Sequence, residues 1–201
     1  MRHARDLAGK NIIVYDLETC KSADQCSRGW ESPDEMGISV LCAFDYEIMR
    51  YRVFMDDNLS EFVERANRPG TLLVAFNQLG FDNRVIRATK IGGVALALKP
   101  DAELKQYDML FESRLGAGES PGVRTAGFRL DDHLKALSLP MKTGYGAMAP
   151  VWWQAGQVGK VVDYALSDVA QERNLFEHMY QTGTAQCTAR PTPYRVAAPK
   201  I

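Results

Sequence analysis

Two carboxylates separated by one residue are the first feature of this chain that could do chemistry. Asp16 and Glu18 flank Leu17 directly after a short apolar run. Because side chains alternate along a strand, both carboxylates are predicted to point to one face and Leu17 to the other. Close carboxylates repel each other unless protons or cations neutralise them, and oxygen ligands suit Mg²⁺ or Mn²⁺. The pair therefore indicates a metal site, with a solvated strand end as the alternative.

A second acidic position follows in the segment Asn-Gln-Leu-Gly-Phe-Asp, residues 77–82. An apolar run ends there and a helical pattern begins, so Asp82 is expected at or near the first turn of a helix. One interpretation makes Asp82 an N-cap of that helix. The other makes it a further metal-site carboxylate, close to Asp16 because adjacent strands end at the same edge of a sheet.

The third position combines a phenol with a carboxylate. Tyr164 and Asp168 lie four residues apart within a long helical pattern, so their side chains are predicted to stack on one face of the helix. An isolated Asp on such a helix would be unremarkable. A tyrosine one turn before it is a more specific signal.

The elements that must position these residues follow from the apolar spacing. Strands are predicted at residues 11–15, 38–44, 49–55, 71–76 and 105–108, with the second and third forming an antiparallel hairpin. Helices are predicted at residues 59–66, 82–91, 130–137 and 158–180. Loops or irregular structure are expected at residues 115–125 and 142–159. This order predicts an α/β fold with a mixed β-sheet flanked by helices.

Length and composition limit the possibilities further. A chain of 201 residues suits a single domain, which we expect over residues 1–183, followed by a flexible tail at residues 184–201. The 24 basic and 25 acidic residues nearly cancel, so any contact with phosphate must come from local basic clusters. The four cysteines form no CxxC pair and are expected to be free thiols. No signal-peptide core or membrane-spanning run is present, which favours a cytoplasmic protein.

The three acidic motifs together resemble a known family. Asp-x-Glu, Asn-x₃-Phe-Asp and Tyr-x₃-Asp are similar, in this order, to the three exonuclease motifs of the DEDDy 3′-to-5′ exonucleases, over about residues 11–180. That group has an RNase H-like fold and includes the proofreading domains of family A and family B DNA polymerases. A sister group uses His in place of the Tyr, but His178 lies on the wrong side of Asp168. The tyrosine version is therefore the better assignment.

The resemblance implies a two-metal mechanism and assigns roles to individual residues. Two divalent ions, Mg²⁺ or Mn²⁺, would stabilise the attacking and leaving oxygens at the terminal phosphodiester. Tyr164 would orient the attacking water, and its reference pKa near 10 argues against a role as the base. The catalytic set is Asp16, Glu18, Asp82, Tyr164 and Asp168, of which the four carboxylates hold metal.

Contacts with substrate are harder to assign from sequence. Asn77 and Phe81 are expected either to touch the substrate or to close a turn and pack in the core, and Leu17 either to wedge against the terminal base or to be a buried strand residue. Trp152 and its neighbour Trp153 either stack on an unpaired base or anchor a loop. Candidate phosphate contacts, which are otherwise solvated surface, are Arg84, Arg87, Lys90, Arg124, Arg129, Lys135 and Lys142.

The sequence therefore predicts a metal-dependent 3′-to-5′ exonuclease that acts on single-stranded DNA ends. A ribonuclease that trims RNA 3′ ends is a close alternative, because no contact that reads a 2′-hydroxyl can be identified. A non-catalytic nucleic-acid-binding module on the same fold, or a structural cation site in an unrelated α/β protein, are further alternatives. The expected partners are nucleic acid with a 3′ end and a replication or repair protein, since the near-neutral charge predicts weak unaided affinity.

Overall fold

A five-stranded sheet forms the centre of the fold. The computed structural model describes residues 2–121, 123, 125–141 and 148–201. The sheet has the order β3-β2-β1-β4-β7, in which β4 and β7 run parallel to β1, and β2 and β3 form the predicted antiparallel hairpin. Its strands are β1 (Ile12–Thr19), β2 (Ile38–Asp45), β3 (Arg50–Phe54), β4 (Leu72–Ala75) and β7 (Lys105–Asp108), while β5 (Lys90–Ile91) and β6 (Val94–Ala95) pair separately.

Helices flank this sheet, as the apolar spacing predicted. The helix predicted at residues 59–66 is confirmed, and the one predicted at residues 158–180 extends two residues further. The helix predicted at residues 82–91 ends at Ala88, because Lys90 and Ile91 form a strand. The helices are α1 (Pro33–Met36), α2 (Leu59–Ala66), α3 (Asp82–Ala88), α4 (Met109–Gly116), α5 (Leu130–Ala136), α6 (Ala149–Gln154) and α7 (Val158–Thr182). The predicted fold class, an α/β mixed sheet flanked by helices, is therefore confirmed.

The alternation of side chains along β1 divides the core into two layers. Ile12 and Val14 pack with α7 residues in one cluster, whereas Ile13, Tyr15 and Leu17 pack with residues of α2 and α3 in the other. Asp16 has the same parity as Ile12 and Val14, so it lies on the α7 side of the sheet. The strand thus separates the acidic positions from Leu17, as its alternation predicted.

Two sequence-based expectations are wrong, and a third is wrong only at its boundary. The expected flexible tail instead forms a hairpin of β8 (Thr184–Cys187) and β9 (Arg190–Arg195), because Ala185 and Cys187 are fully buried and anchor it to the core. The expected irregular segment contains α6, which carries Trp152 against the core. The start of the expected loop at residues 115–125 belongs to α4, because Asp108 caps that helix by accepting from two backbone N–H groups.

A buried ion pair joins the hairpin to α2 at the start of β1. Arg65 donates to both carboxylate oxygens of Asp45, at 2.9 and 3.0 Å, and to the Thr71 hydroxyl at 3.0 Å. It also donates to the Asn11 side chain and pairs with Glu47 at 2.9 Å. We call Asn11, Asp45, Glu47, Arg65 and Thr71 the Arg65 cluster. A buried guanidinium with this many acceptors is fully compensated, so loss of one partner from the Arg65 cluster would leave a buried charge unpaired.

No helix in the described ranges is both long enough and apolar enough to cross a membrane.

Candidate active site

Three carboxylates meet between β1 and α7. Asp16, Glu18 and Asp168 each place one oxygen within 4.8 Å of the others. The geometry follows from two local patterns, because strand alternation directs Asp16 and Glu18 toward α7 and the apolar stripe of α7 turns Asp168 toward the sheet. Residues from the first and third motifs, about 150 positions apart in the chain, are thus brought together.

Tyr164 lies one helical turn before Asp168 and faces the same group of carboxylates. Its side chain is only 8% exposed. Burial raises the pKa of Tyr164 far above its usual value, and repulsion from Asp168 and Glu18 adds to the effect. The phenol therefore keeps its proton and acts as a hydrogen-bond donor at neutral pH. Trp152 packs edge-on against the Tyr164 ring, with centroids 5.9 Å apart.

Asp82 lies next to these three carboxylates but outside the 4.8 Å group that they form. It stands at the first position of α3, where the second motif placed it, and is 3% exposed. Burial, followed by repulsion from Asp108, raises the pKa of Asp82 to about 7, although the Leu17 backbone N–H opposes this as a donor. Its Oδ1 atom is buried without a hydrogen-bond partner among the described residues. The N-cap position of α3 is held by Phe81, so the structure does not support the interpretation of Asp82 as the N-cap.

Sequence reasoning missed Asp108, which shapes the loop that carries Asp82. Its carboxylate accepts from the backbone N–H groups of Asn77 at 3.1 Å and Leu79 at 3.0 Å, as well as capping α4. Asn77 adopts a left-handed φ of 74°, and its carbonyl accepts from Gly80 and Phe81. This arrangement favours the interpretation of Asn77 as a turn residue. An Asp at the end of β7, before a helical pattern, was the signal available in the sequence.

Sequence reasoning also missed Glu172, the next buried acid along α7. It follows Asp168 by one helical turn and is 3% exposed. Burial raises the pKa of Glu172, and repulsion from Asp82 and then Asp168 acts in the same direction. Glu172 is also the carboxylate that most raises the pKa of Asp16, after burial itself. The four-residue spacing of Tyr164, Asp168 and Glu172 would have revealed it.

These acids form one electrostatic unit, which we call the acidic cluster: Asp16, Glu18, Asp82, Asp168 and Glu172. All its donor atoms are carboxylate oxygens, and two of them, in Asp82 and Glu172, are buried without a partner among the described residues. Hard divalent cations prefer oxygen ligands, and cations relieve repulsion between buried carboxylates. The donor set therefore fits Mg²⁺ or Mn²⁺.

The residues expected to touch substrate have different surroundings. Leu17 is 4% exposed and packs in the α2 and α3 layer, which favours its alternative role as a buried strand residue. Trp152 is half-buried against the core and Tyr164. Phe81 is half-buried, and its ring meets that of Trp30, which is 55% exposed, at 5.5 Å. The pair of Phe81 and Trp30 thus offers an aromatic surface beside the loop that carries Asp82.

An open pocket of about 390 Å³ follows the end of β1. Gln154 of α6 forms one side by donating to the Cys20 carbonyl at 2.8 Å and to the Gln25 side chain at 2.9 Å. The pocket is lined by Cys20, Lys21, Gln25, Trp153 and Gln154. Of the two adjacent tryptophans, Trp153 therefore faces the pocket while Trp152 packs on Tyr164. The wall of this pocket combines an aromatic ring, a cationic side chain and amides. It begins at Cys20, two residues after Glu18.

The basic residues expected to contact phosphate also have different surroundings. Arg84 pairs with Glu31 at 3.0 Å and Arg87 with Asp101 at 2.7 Å, so both guanidinium groups are already engaged. Lys90, Arg129 and Lys135 are exposed. Arg124 and Lys142 lie outside the described residues.

Comparison with solved structures identifies relatives of this architecture. The family B DNA polymerase from the archaeon Pyrobaculum calidifontis is 18% identical with a TM-score of 0.57, over 84% of this chain and 24% of the polymerase. A zinc-bound complex of E. coli exonuclease I with single-stranded DNA is 16% identical with a TM-score of 0.52, over 85% and 40% of the two chains. A complex of exonuclease I with SSB-Ct is 17% identical with a TM-score of 0.52, over 85% and 41%.

No protein-family model matches the chain, and no curated protein matches it by sequence. This chain spans about a quarter of the polymerase and about two fifths of the exonuclease I chains. The likeness is therefore one of fold. With its mixed five-stranded sheet, its flanking helices and these structural neighbours, the chain has the RNase H-like fold that exonuclease I also has.

Proposed function

We propose that this chain is a metal-dependent 3′-to-5′ exonuclease that acts on single-stranded DNA. One observation carries the proposal: Asp16, Glu18 and Asp168 converge within 4.8 Å, and Tyr164 lies one helical turn before Asp168 on α7. The first and third of the motifs that resemble those of DEDDy exonucleases thus supply a compact group of carboxylates. Exonuclease I, which has a similar fold, is described as binding single-stranded DNA.

The residues of the site would have different roles in the reaction. Asp16, Glu18, Asp82 and Asp168 hold two divalent ions, Mg²⁺ or Mn²⁺, which when bound acidify water and stabilise charge on the phosphate oxygens. Tyr164, kept neutral by its surroundings, donates a hydrogen bond and orients the attacking water. Trp152 supports the Tyr164 ring from the side. Catalysis thus depends on positioning and electrostatics, with no covalent intermediate.

Two aromatic surfaces support binding of unpaired bases. Phe81 and Trp30 form one next to Asp82, and Trp153 forms the other in the pocket beyond Glu18. Aromatic side chains bind single strands by stacking, which tolerates any base. Lys21, in the same pocket, is suited to a phosphate. Asn77 acts by holding the turn before Asp82, and Leu17 by its backbone contact with Asp82.

The test is degradation of 5′-labelled oligonucleotides of single-stranded DNA and RNA, with Mg²⁺, Mn²⁺ or EDTA. A ladder that shortens from the 3′ end only with metal, and is absent for Asp16→Asn, is expected. Glu64→Gln, which neutralises an exposed carboxylate on α2, is the matched control and should behave as the wild type. Faster cleavage of RNA would make the chain a ribonuclease. Binding of DNA without cleavage in any metal would leave a non-catalytic binding module.

The assembly in which the enzyme works is part of the proposal. The chain corresponds to two fifths or less of the solved structures it is similar to, and one of these is a complex with SSB-Ct. We expect a replication or repair protein to bring this nuclease to cytoplasmic DNA, since the nearly balanced charge of the chain provides little attraction for nucleic acid. Pull-down with the full chain as bait, followed by mass spectrometry, would identify such a partner.

A further inference from the structure

Glu172 is a buried acid that the four-carboxylate motif does not include. It occupies the helical position after Tyr164 and Asp168 on the inner face of α7, and it is 3% exposed. A fully buried Glu is rare unless a partner compensates it. The backbone N–H of Phe76 favours the charged form of Glu172, but the Oε2 atom is buried with no hydrogen-bond partner among the described residues.

Asp82 presents a second oxygen of the same kind. Its Oδ1 atom is buried and unpartnered among the described residues, while the Leu17 backbone N–H donates to the carboxylate. Asp82 is also the charged group that most strongly repels Glu172. Two unsatisfied carboxylate oxygens in mutual repulsion are unfavourable unless something binds between them.

Asp16 connects this pair to the group formed with Glu18 and Asp168. It belongs to the 4.8 Å group of carboxylates, yet the charge that affects it most is that of Glu172, and Asp82 affects it as well. A carboxylate has two oxygens with about four lone-pair sites, so one carboxylate can serve two cations. Asp16 is thus suited to bridge one ion toward Glu18 and Asp168 and another toward Asp82 and Glu172.

We propose that Glu172 is a fifth carboxylate of the metal centre and binds the second divalent cation together with Asp16 and Asp82. The inference rests on the proposed function in that it concerns the same centre. The chemistry of the ligand is that of a hard, oxygen-seeking ion such as Mn²⁺ or Mg²⁺. An extra direct ligand strengthens the second site, and it removes the unpaired oxygen of Glu172.

The competing explanation is that Glu172 is a neutral acid, which keeps its proton and only fills space. Glu172→Gln separates the two, because glutamine preserves the shape and the acceptor for the Phe76 N–H but is a much weaker metal ligand. If Glu172 is a neutral, space-filling acid, its replacement by Gln does not change the metal affinity. If Glu172 is a metal ligand, the same replacement weakens metal binding.

The experiment is calorimetric titration of the purified full chain with Mn²⁺, without nucleic acid, for the wild type, Glu172→Gln and Glu64→Gln. We expect two Mn²⁺ ions for the wild type and for Glu64→Gln. Glu172→Gln should bind the first ion normally and the second about 10- to 100-fold more weakly, as for loss of a metal-supporting group. Thermal unfolding in EDTA verifies that each variant folds, and Glu172→Asp, which keeps the charge but shortens the side chain, should show an intermediate affinity.

The outcomes that overturn the inference are distinct from failure of the proposed function. A single Mn²⁺ ion bound to the wild type, or two ions bound to Glu172→Gln with affinities within twofold of the wild type, would falsify it even if the protein degrades DNA. Conversely, loss of the second ion in Glu172→Gln sustains the inference even if no nuclease activity is found. Electron paramagnetic resonance of bound Mn²⁺ gives an independent readout, because coupling between two neighbouring ions should disappear in Glu172→Gln.

Discussion

Two buried polar clusters stand at opposite ends of β1 and balance their charges differently. At the start of the strand, the Arg65 cluster surrounds one guanidinium with Asp45, Asn11 and Thr71. At the other end, the acidic cluster gathers five carboxylates around Asp16 and Asp168. Both are held by the same strand and by helices that pack on it.

The difference separates a cluster that is neutralised within the chain from one that is not. In the Arg65 cluster the chain supplies both charges, so no outside ion is needed and removal of either partner is costly. In the acidic cluster, burial and mutual repulsion raise the pKa of Asp16, Asp82 and Glu172, and two oxygens lack partners among the described residues. Such an arrangement is typical of ligand-binding sites, which supports the proposed metal centre.

The largest effect is expected when the acidic cluster loses its central member. Asp16→Asn should reduce the rate of DNA degradation by about a thousandfold or more, because loss of about 4 kcal/mol of metal-based transition-state stabilisation has that consequence. The same change should leave the protein folded, and in EDTA no less stable, since it relieves repulsion. Gel-based exonuclease assays and thermal unfolding measure the two quantities. Loss of stability with retained activity would contradict the comparison.

The opposite pattern is expected in the Arg65 cluster. Arg65→Leu should lower the free energy of unfolding by about 3–5 kcal/mol, because it leaves Asp45 buried without its partner. Urea denaturation followed by circular dichroism measures the change. Arg68→Ala is the control, since Arg68 pairs with Glu47 at the surface and such pairs contribute about 0–1 kcal/mol. The activity of the folded fraction should be unchanged in both variants.

The response of stability to pH should be governed by the acidic cluster. The folded-state pKa of Asp82 is raised from 3.8 to about 7, so between these values the folded protein holds a proton that the unfolded chain has lost. Stability in EDTA should therefore fall as the pH rises from about 4 to 7, and the raised pKa values of Asp16 and Glu172 act in the same direction.

Divalent cations should reverse this fall, because they replace the missing protons. Melting temperatures measured from pH 5 to 8, with EDTA or Mn²⁺, test the expectation, and each kcal/mol shifts the melting temperature by about 2–4 °C in a chain of this size. A melting temperature that rises with pH in EDTA would mean that the carboxylates are compensated within the chain.

The smallest expected effect distinguishes the roles of the two adjacent tryptophans, Trp152 and Trp153, near the acidic cluster. Trp153→Ala should weaken binding of single-stranded DNA by about 1–3 kcal/mol, the usual contribution of one stacked base, because Trp153 lines the pocket beyond Glu18. Trp152→Ala should instead lower the cleavage rate, since that ring packs on Tyr164. Fluorescence anisotropy in Ca²⁺, compared with single-turnover rates in Mg²⁺, distinguishes them. Equal effects of both substitutions on affinity would contradict this division.

Much of the fold could be predicted because its elements carry local signals. The alternation of β1, the hairpin of β2 and β3, and the stripes of α2 and α7 all follow from periodicity. The short α4 and α6 and the hairpin at residues 184–195 were missed. Their stability comes from a cap by Asp108 and from burial of Trp152 and Cys187, and such contacts have no local pattern.

The sequence by itself determined which residues compose the three motifs and which face each side chain takes, because strand and helix periods are properties of the local chain. The strand period places Asp16 with Glu18, and the helix period places Tyr164 with Asp168. Only the tertiary structure decided that these pairs meet, that Asp82 lies beside them, and that Glu172 completes the cluster. The physical reason is that burial and mutual repulsion depend on distances across the sheet, which sequence spacing does not contain.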